Sequence, residues 1–203
     1  MEELGKGHEG IVYRDGDHAK KIFYSDRKLS KRTTAIGKIL SRLQFKTFMR
    51  PFNFVINKKG LLDSYEMEIL PENDGDKFTL MRKKSLVRAL RDLREDVLLM
   101  ADYNIKTNDL QSHNIRVFRD SIRFYDFSLF RFAQDKEQAK AYNNEQLNNM
   151  FGSIAVQEEN PDINPIDVYD KFYARYLRSG HDRIEDFIEE EMDTETIRQY
   201  IKK

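Results

Sequence analysis

Short β-branched and aromatic runs separated by turn residues fill the first seventy positions, and longer runs with apolar residues three and four apart dominate the rest. Ile11-Val12-Tyr13 and His18 to Phe23 flank the turn Asp15-Gly16-Asp17, and Phe52 to Ile56 and Leu61 to Leu70 flank Asn57-Lys58-Lys59-Gly60, so four strands are predicted there. Between the two pairs, Thr33 to Leu43 carries Ile36, Ile39, Leu40 and Leu43 on one face, the spacing of an amphipathic helix. Pro71 to Asp76, rich in Pro, Asn, Asp and Gly, is the expected boundary between a strand-rich part over 1–70 and a mainly helical part over 71–203. Beyond it, Leu86, Leu90, Leu93, Val97 and Met100 predict a long helix over Ser85 to Ala101 with one buried stripe. Ile115 to Phe118 and Ile122 to Tyr125 alternate apolar and polar on either side of Arg119-Asp120-Ser121, which predicts a tight hairpin. A helix is expected over Gln134 to Phe151, then a loop over Asn160 to Pro165. Pro165 suits the first turn of a helix carrying Val168, Phe172 and Tyr176, which Ser179-Gly180 ends; short acidic helices follow over Ile184 to Lys203. The pattern as a whole is α+β.

Composition changes this picture little. The 203 residues are 39% hydrophobic and 34% charged with net charge +0, which fits a globular chain and names no partner. With Cys 0, disulfides and thiolate metal sites are excluded. Residues 1–30 hold no apolar run fit for a signal peptide and no span reaches transmembrane length, so the expectation is a soluble, cytoplasmic protein without membrane contact. Charge is uneven, however. Between Arg27 and Leu62 there is no Asp or Glu, while basic residues recur from Arg27 to Lys59. Such a surface attracts an acidic or phosphate-rich partner, nucleic acid being the less expected one because net charge is zero and no recognition motif accompanies it. The acidic tail from Glu185 to Glu195 is an alternative partner within the molecule or a dimer.

Candidate chemistry gathers around the hairpin. Asp109 and Asn114 lie on the loop entering it and Asp126 on the loop leaving it, so three oxygen-bearing side chains converge on one point. Hard divalent cations such as Mg²⁺ take oxygen ligands and share them with substrate phosphates, which makes this the donor set of a nucleotide-metal site.

Asp109-Leu110-x-x-x-Asn114 resembles the catalytic loop of protein kinases, and Asp126-Phe127-Ser128 resembles their metal-binding Asp-Phe-Gly. Gly5, Gly7 and Gly10, followed by Val12 and lying between strands, resemble the kinase glycine-rich loop, where missing side chains let backbone N–H groups approach phosphates. Only four residues precede Gly5, so a short or frayed first strand is expected. The kinase pattern places Ala two residues before the phosphate-binding lysine. That selects Lys21, which shares a strand face with Ala19 while Lys20 points the other way. Tyr65 to Leu70 looks like the kinase hinge, with Met67 behind the adenine and Glu68 to Leu70 offering backbone groups to it. The resemblance covers residues 4–130 in order and implies a two-lobed protein kinase-like fold with a reduced carboxyl lobe. It further implies ATP and Mg²⁺ as cofactors, Asp109 and Lys21 as catalytic residues, and Asn114 and Asp126 as metal ligands. Small bacterial kinase-like proteins of the PhoP-regulated or RIO-type groups are similar in their reduced lower lobe.

The chain also departs from the kinase pattern. Glu-x-x-Ile-Leu spacing back from Ile39-Leu40 puts Ile36 where kinases carry the helix glutamate that pairs with the strand lysine. Either another carboxylate orients Lys21, Asp126 being nearest in the family geometry, or the chain binds nucleotide with weak or no transfer. The intact metal-binding residues favour the first. Thr107-Asn108 replaces His-Arg, which argues against activation by a phosphorylated segment, and Gln111 replaces the usual lysine. His113 beside Asn114 is similar to the aminoglycoside-phosphotransferase branch, and no Ala-Pro-Glu follows Asp126. Ser128 in place of Gly restricts the turn that would let Asp126 flip. The expected activity is a serine/threonine protein kinase, with a small-molecule kinase or a nucleotide-binding pseudokinase as alternatives.

Overall fold

Strand β1 (Glu2–Lys6), the short strand expected before the glycines, pairs antiparallel with β2 (Gly10–Asp15) and is exposed along its whole length. In the computed structural model, which describes residues 1–69, 81–110, 114–118, 120–157 and 173–192, β2 turns back through Gly16 into β3 (His18–Phe23). Gly16 has φ +62°, the left-handed region that two-residue hairpin turns require, and Asp15 pairs with His18 across it. After a helix, α1 (Lys31–Leu40), come β4 (Phe52–Ile56) and β5 (Leu62–Glu68). The sheet order is β1-β2-β3-β5-β4, antiparallel throughout, so β5 lies against β3 with Lys21 opposite Tyr65 and Ala19 opposite Met67.

Helix α1 starts two residues earlier than its apolar spacing predicts because Ser30 caps it, its side chain accepting from the Thr33 amide at 3.1 Å. The helix ends at Leu40, which leaves Leu43 in the following turn. Ile36 and Leu40 are fully buried. Gly37 is buried on the same side, and a Cβ there would lie 2.7 Å from two ring carbons of Phe127 and 2.9 Å from the Phe54 ring. Two effects oppose each other when Gly37 becomes Ala. Helix propensity gains about 1 kcal/mol, while overpacking against two buried rings costs typically about 1–3 kcal/mol. Sterics are the larger over most of that range, so Gly37→Ala is expected to lower the unfolding free energy in urea by up to about 2 kcal/mol; a variant more stable than the wild type would show that Phe127 can move aside.

The remaining chain is mainly helical. In α2 (Lys83–Ala101) all five residues of the predicted stripe, Leu86, Leu90, Leu93, Val97 and Met100, are buried. β6 (Ile105–Lys106), β7 (Ile115–Phe118), β8 (Ser121–Phe124) and β9 (Arg131–Phe132) follow, with β7 and β8 forming the predicted hairpin and β6 pairing with β9. α3 (Lys136–Gln157) runs longer than expected and buries Ala139, Asn143, Leu147 and Met150. Residues 173–179 form α4, which Gly180 ends at φ +78°, and α5 (Ile184–Glu191) packs on α2. Among the described residues, no helix is long and apolar enough to cross a membrane.

Within the molecule, the described acids of the tail find other partners than the basic stretch. Glu185 is fully buried and pairs with Arg94, whose guanidinium also donates to Asn144 at 2.7 Å and Asn148 at 2.8 Å. Asp186 and Glu189 meet Arg91, and Glu190 and Glu191 lie beside His181. Among the described contacts these acids therefore bind α2 and α5's own entry turn, and not the basic stretch 27–59. Buried apolar surface decides this, since Phe187 and Ile188 seat α5 on α2 and carry its acids with them. Leu70, the boundary Pro71 to Asp76, Gln111, His113, Arg119, the loop Asn160 to Pro165, Val168, Phe172 and positions 193–203 lie outside the described residues.

Candidate functional site

The hairpin register brings the oxygen-bearing side chains together. Ile115 pairs with Phe124, and the Tyr125 amide donates to the Asn114 carbonyl at 3.0 Å, so Asn114 and Asp126 leave the same open end of β7–β8. Asn114 donates its Nδ2 to the Asp109 carbonyl at 3.1 Å and to Asp109 Oδ2 at 2.8 Å, which commits the amide nitrogen and leaves Oδ1 as the atom that could face a cation. Asp109 has φ +66° and Asp126 φ +74°, two of the four described non-glycine residues in the left-handed region. Strain of this kind costs on the order of 1–3 kcal/mol per residue and clusters at functional sites.

The loop is anchored from below. Thr107, fully buried, donates its amide to Asn143 Oδ1 at 2.8 Å, and Asn143 Nδ2 donates to the carbonyls of Val97 at 2.8 Å and Ile105 at 3.0 Å. One buried amide on α3 thus ties α2, β6 and the entry to the Asp109 loop together. From the front, the Asp126 carboxylate accepts from the Ser128 amide at 2.9 Å and pairs directly with Lys21. Phe127 is buried beneath α1 with its ring 5.0 Å from that of Tyr65, which keeps Asp126 turned toward Lys21.

Lys21 has a second partner, Glu9 Oε2 at 3.0 Å. Burial by itself would lower the lysine's pKa, but the charges and hydrogen bonds of Asp126 and Glu9 outweigh it and raise Lys21 above its ordinary 10.5. Burial would raise Asp126, yet the Lys21 charge, its hydrogen bond and Ser128 hold that carboxyl below its ordinary 3.8. A depressed carboxyl contributes stability that is present above the ordinary carboxylate pKa and lost as pH falls through the folded value. A raised lysine contributes stability that is present below the ordinary lysine pKa and lost as pH rises through the folded value. Urea unfolding of the wild type and of a Lys21→Met/Asp126→Asn variant is therefore expected to differ by a constant amount between about pH 5 and 9, with the difference moving against the wild type beyond either end.

Around this pair the site is open to a further group. The Tyr65 hydroxyl is buried without a hydrogen-bond partner among the described residues, and burial together with the charges of Asp126 and Glu9 pushes its pKa well up. The glycine turn closes with Gly7 N donating to Gly10 O at 2.9 Å. A Cβ on Gly10 would lie 2.1 Å from the Ile22 carbonyl oxygen, so only glycine fits, whereas a Cβ on Gly5 or Gly7 meets nothing within 4 Å. Val12 is half-buried opposite Lys21. Met67 is buried and Glu68 is exposed at the end of β5; the third hinge residue, Leu70, is outside the described residues. Among the described residues no three His, Cys, Asp or Glu side chains could jointly hold a metal ion, so a cation here would draw on Asp126, the Asn114 amide and oxygens from phosphate or water. That donor set, the unfilled space over the glycines and the orphaned hydroxyl fit a metal-phosphate group.

Glu9 and Asn143 were not legible as candidate site residues in the sequence, and Tyr65 is marked there only as the start of the hinge-like stretch. For Glu9 the one available signal is indirect: with no acid between Arg27 and Leu62, any partner of Lys21 other than Asp126 must come from outside the helix.

No protein-family model matches the sequence, and no curated protein matches it. Among solved structures, the Cydia pomonella granulovirus kinase PK-1 superposes with a TM-score of 0.60 over 99% of this chain and 93% of that one, at 14% identity. Glycine turn, strand lysine, helix α2 and the two aspartate loops thus sit on a two-lobed, α+β, protein kinase-like fold.

Proposed function

We propose that this chain is an ATP- and Mg²⁺-dependent phosphotransferase that moves the γ-phosphoryl group to a hydroxyl, with a protein serine or threonine as acceptor. The observation that carries this reading is that the Lys21–Asp126 pair and the Asp109–Asn114 pair flank the open end of the β7–β8 hairpin. Lys21 donates to the α- and β-phosphate oxygens, and the backbone of the glycine turn covers them. Asp126 and Asn114 would hold a divalent cation, which would supply neutralisation of charge on the phosphate oxygens. Asp109 accepts the hydrogen bond of the acceptor hydroxyl and aims its oxygen at the γ-phosphorus. As the new O–P bond forms and the bond to the leaving ADP oxygen breaks, Asp109 takes the hydroxyl proton, late in a loose transition state. The exposed cations of the 27–59 stretch, among them Lys31, Arg32, Lys38 and Arg42, favour an acidic protein as the docking partner.

A second reading, a nucleotide-binding module without transfer, is favoured by Ile36, which is fully buried where the pattern expects an acid. Incubation with γ-³²P-ATP and Mg²⁺, alone, with an acidic protein and with aminosugar alcohols, separates the readings. Label on protein supports the first and label on the small alcohol moves the acceptor class. A thermal shift with Mg·ATP and no transfer to any acceptor favours the binding module.

A further inference from the structure

We propose that Glu9, carried on the glycine turn itself, is the positioning carboxylate for Lys21, in the role that kinases give to a glutamate on the helix occupied here by α1. The inference rests on the nucleotide site described above and adds a residue to it that no pattern in the sequence marks.

Three observations carry it. First, the helix offers nothing: Ile36 is fully buried, and the first turn of α1 has no acid. Second, Asp126 cannot serve alone, because the oxygen it shares with Lys21 belongs to the same carboxylate that a phosphate-bound cation needs. Third, Glu9 is held in place by the backbone. Its carbonyl accepts from the Tyr24 amide at 3.0 Å, and its neighbour Gly10 is pressed against Ile22 with no room for a side chain. The carboxylate therefore projects from a pinned position and not from a free loop tip, and it reaches Lys21 Nζ at 3.0 Å.

An ammonium has three N–H donors. Glu9 takes one and Asp126 another, so a phosphate oxygen does not have to displace Glu9 to be bound. When Asp126 turns to a cation, Glu9 still holds the long lysine stem in register. The arrangement also couples two motions: displacement of the glycine turn withdraws the carboxylate and releases Lys21 at the same time. In kinases with a helix-borne glutamate those motions are separate.

The test is calorimetric binding of ATP, with and without Mg²⁺, and of adenosine to the wild type, Glu9→Gln, Glu9→Asp, Lys21→Met and the Glu9→Gln/Lys21→Met double variant. Thermal unfolding confirms that each is folded. Glu9→Gln is expected to weaken ATP binding about tenfold, with and without Mg²⁺, to leave adenosine unchanged, and to have no further effect once Lys21 is Met. Glu9→Asp should fall between wild type and Gln. If Glu9→Gln binds ATP as tightly as the wild type, or more tightly, while Lys21→Met has lost affinity, Glu9 is a plug or a bystander and the inference is overturned. If Lys21→Met also binds ATP like the wild type, the nucleotide site itself is wrong and Glu9's role goes with it. Equal weakening of adenosine and ATP would reduce Glu9 to a structural residue of the turn.

Discussion

Asp126→Ala is expected to cut phosphoryl transfer from ATP by about 10³-fold or more, because it removes the carboxylate that pairs with Lys21 and that, in the proposed mechanism, would hold the cation. Asp109→Ala should lower transfer by a comparable factor through a different route. Asp109 reaches Asn114 and not Lys21 among the described contacts, so its loss leaves the phosphate-binding groups in place. The two variants therefore separate on binding. Asp109→Ala retains Mg·ATP affinity with transfer lost, whereas Asp126→Ala loses the Mg²⁺-dependent part of affinity as well. Asp126→Asn tests the charge alone, since an amide oxygen can still accept from the Ser128 amide but no longer balances the buried ammonium. Rates are read from label transferred per minute at saturating ATP, and affinities from calorimetry. Wild-type transfer rates in either alanine variant would remove the residue from the mechanism.

Asp96→Ala is expected to have the largest effect on stability. The Asp96 side chain is buried on α2 and accepts from the amides of Lys46 at 2.9 Å, Thr47 at 2.6 Å and Phe48 at 2.9 Å, and from the Thr47 hydroxyl at 2.6 Å. Alanine would leave those donors buried with nothing to accept them. Each such orphan costs about 1–3 kcal/mol. Allowing for partial relaxation, a loss of about 3–5 kcal/mol follows, or a fall in Tm on the order of 10 °C for a chain of this size. The consequence reaches the site. Residues 47–49 run beside β8, with Phe124 N donating to Thr47 O at 3.0 Å and Met49 N donating to Phe124 O at 2.8 Å, two residues before Asp126. Asp96→Asn keeps an acceptor and the shape, so it should recover part of the loss. Thermal unfolding checks both variants, and an Asp96→Ala protein that melts like the wild type would show that water replaces the carboxylate.

What could be read from residue order is uneven across the fold. The β2–β3 turn at Gly16, the stripe of α2 and the β7–β8 hairpin depend on local spacing and turn chemistry, and all three stand where the pattern put them. Helix boundaries fared worse: the Ser30 cap starts α1 ahead of its apolar spacing, and α3 runs past the last apolar residue that marked it. Asn114 and Asp126 leave the same end of the hairpin, as the spacing predicts, because a hairpin of fixed length brings its two ends together whatever surrounds it.

Of the partners of those residues, the resemblance named only Asp126 for Lys21; the others were not legible. Lys21 finds Glu9 across 12 residues and Asp126 across 105, Thr107 finds Asn143 across 36, and Thr47 finds Asp96 across 49. Periodicity records which face of an element is apolar, and turn residues record where the chain reverses. Neither records which polar group on one element meets which on another, because that follows from how buried faces such as those of α2, α3 and α5 settle against one another. Period and turn chemistry therefore wrote the strands, the helices and the order of Asp109, Asn114 and Asp126 into this chain. Packing alone brought Glu9 to Lys21, since a buried ammonium must be neutralised by whatever acid the closed fold brings within reach.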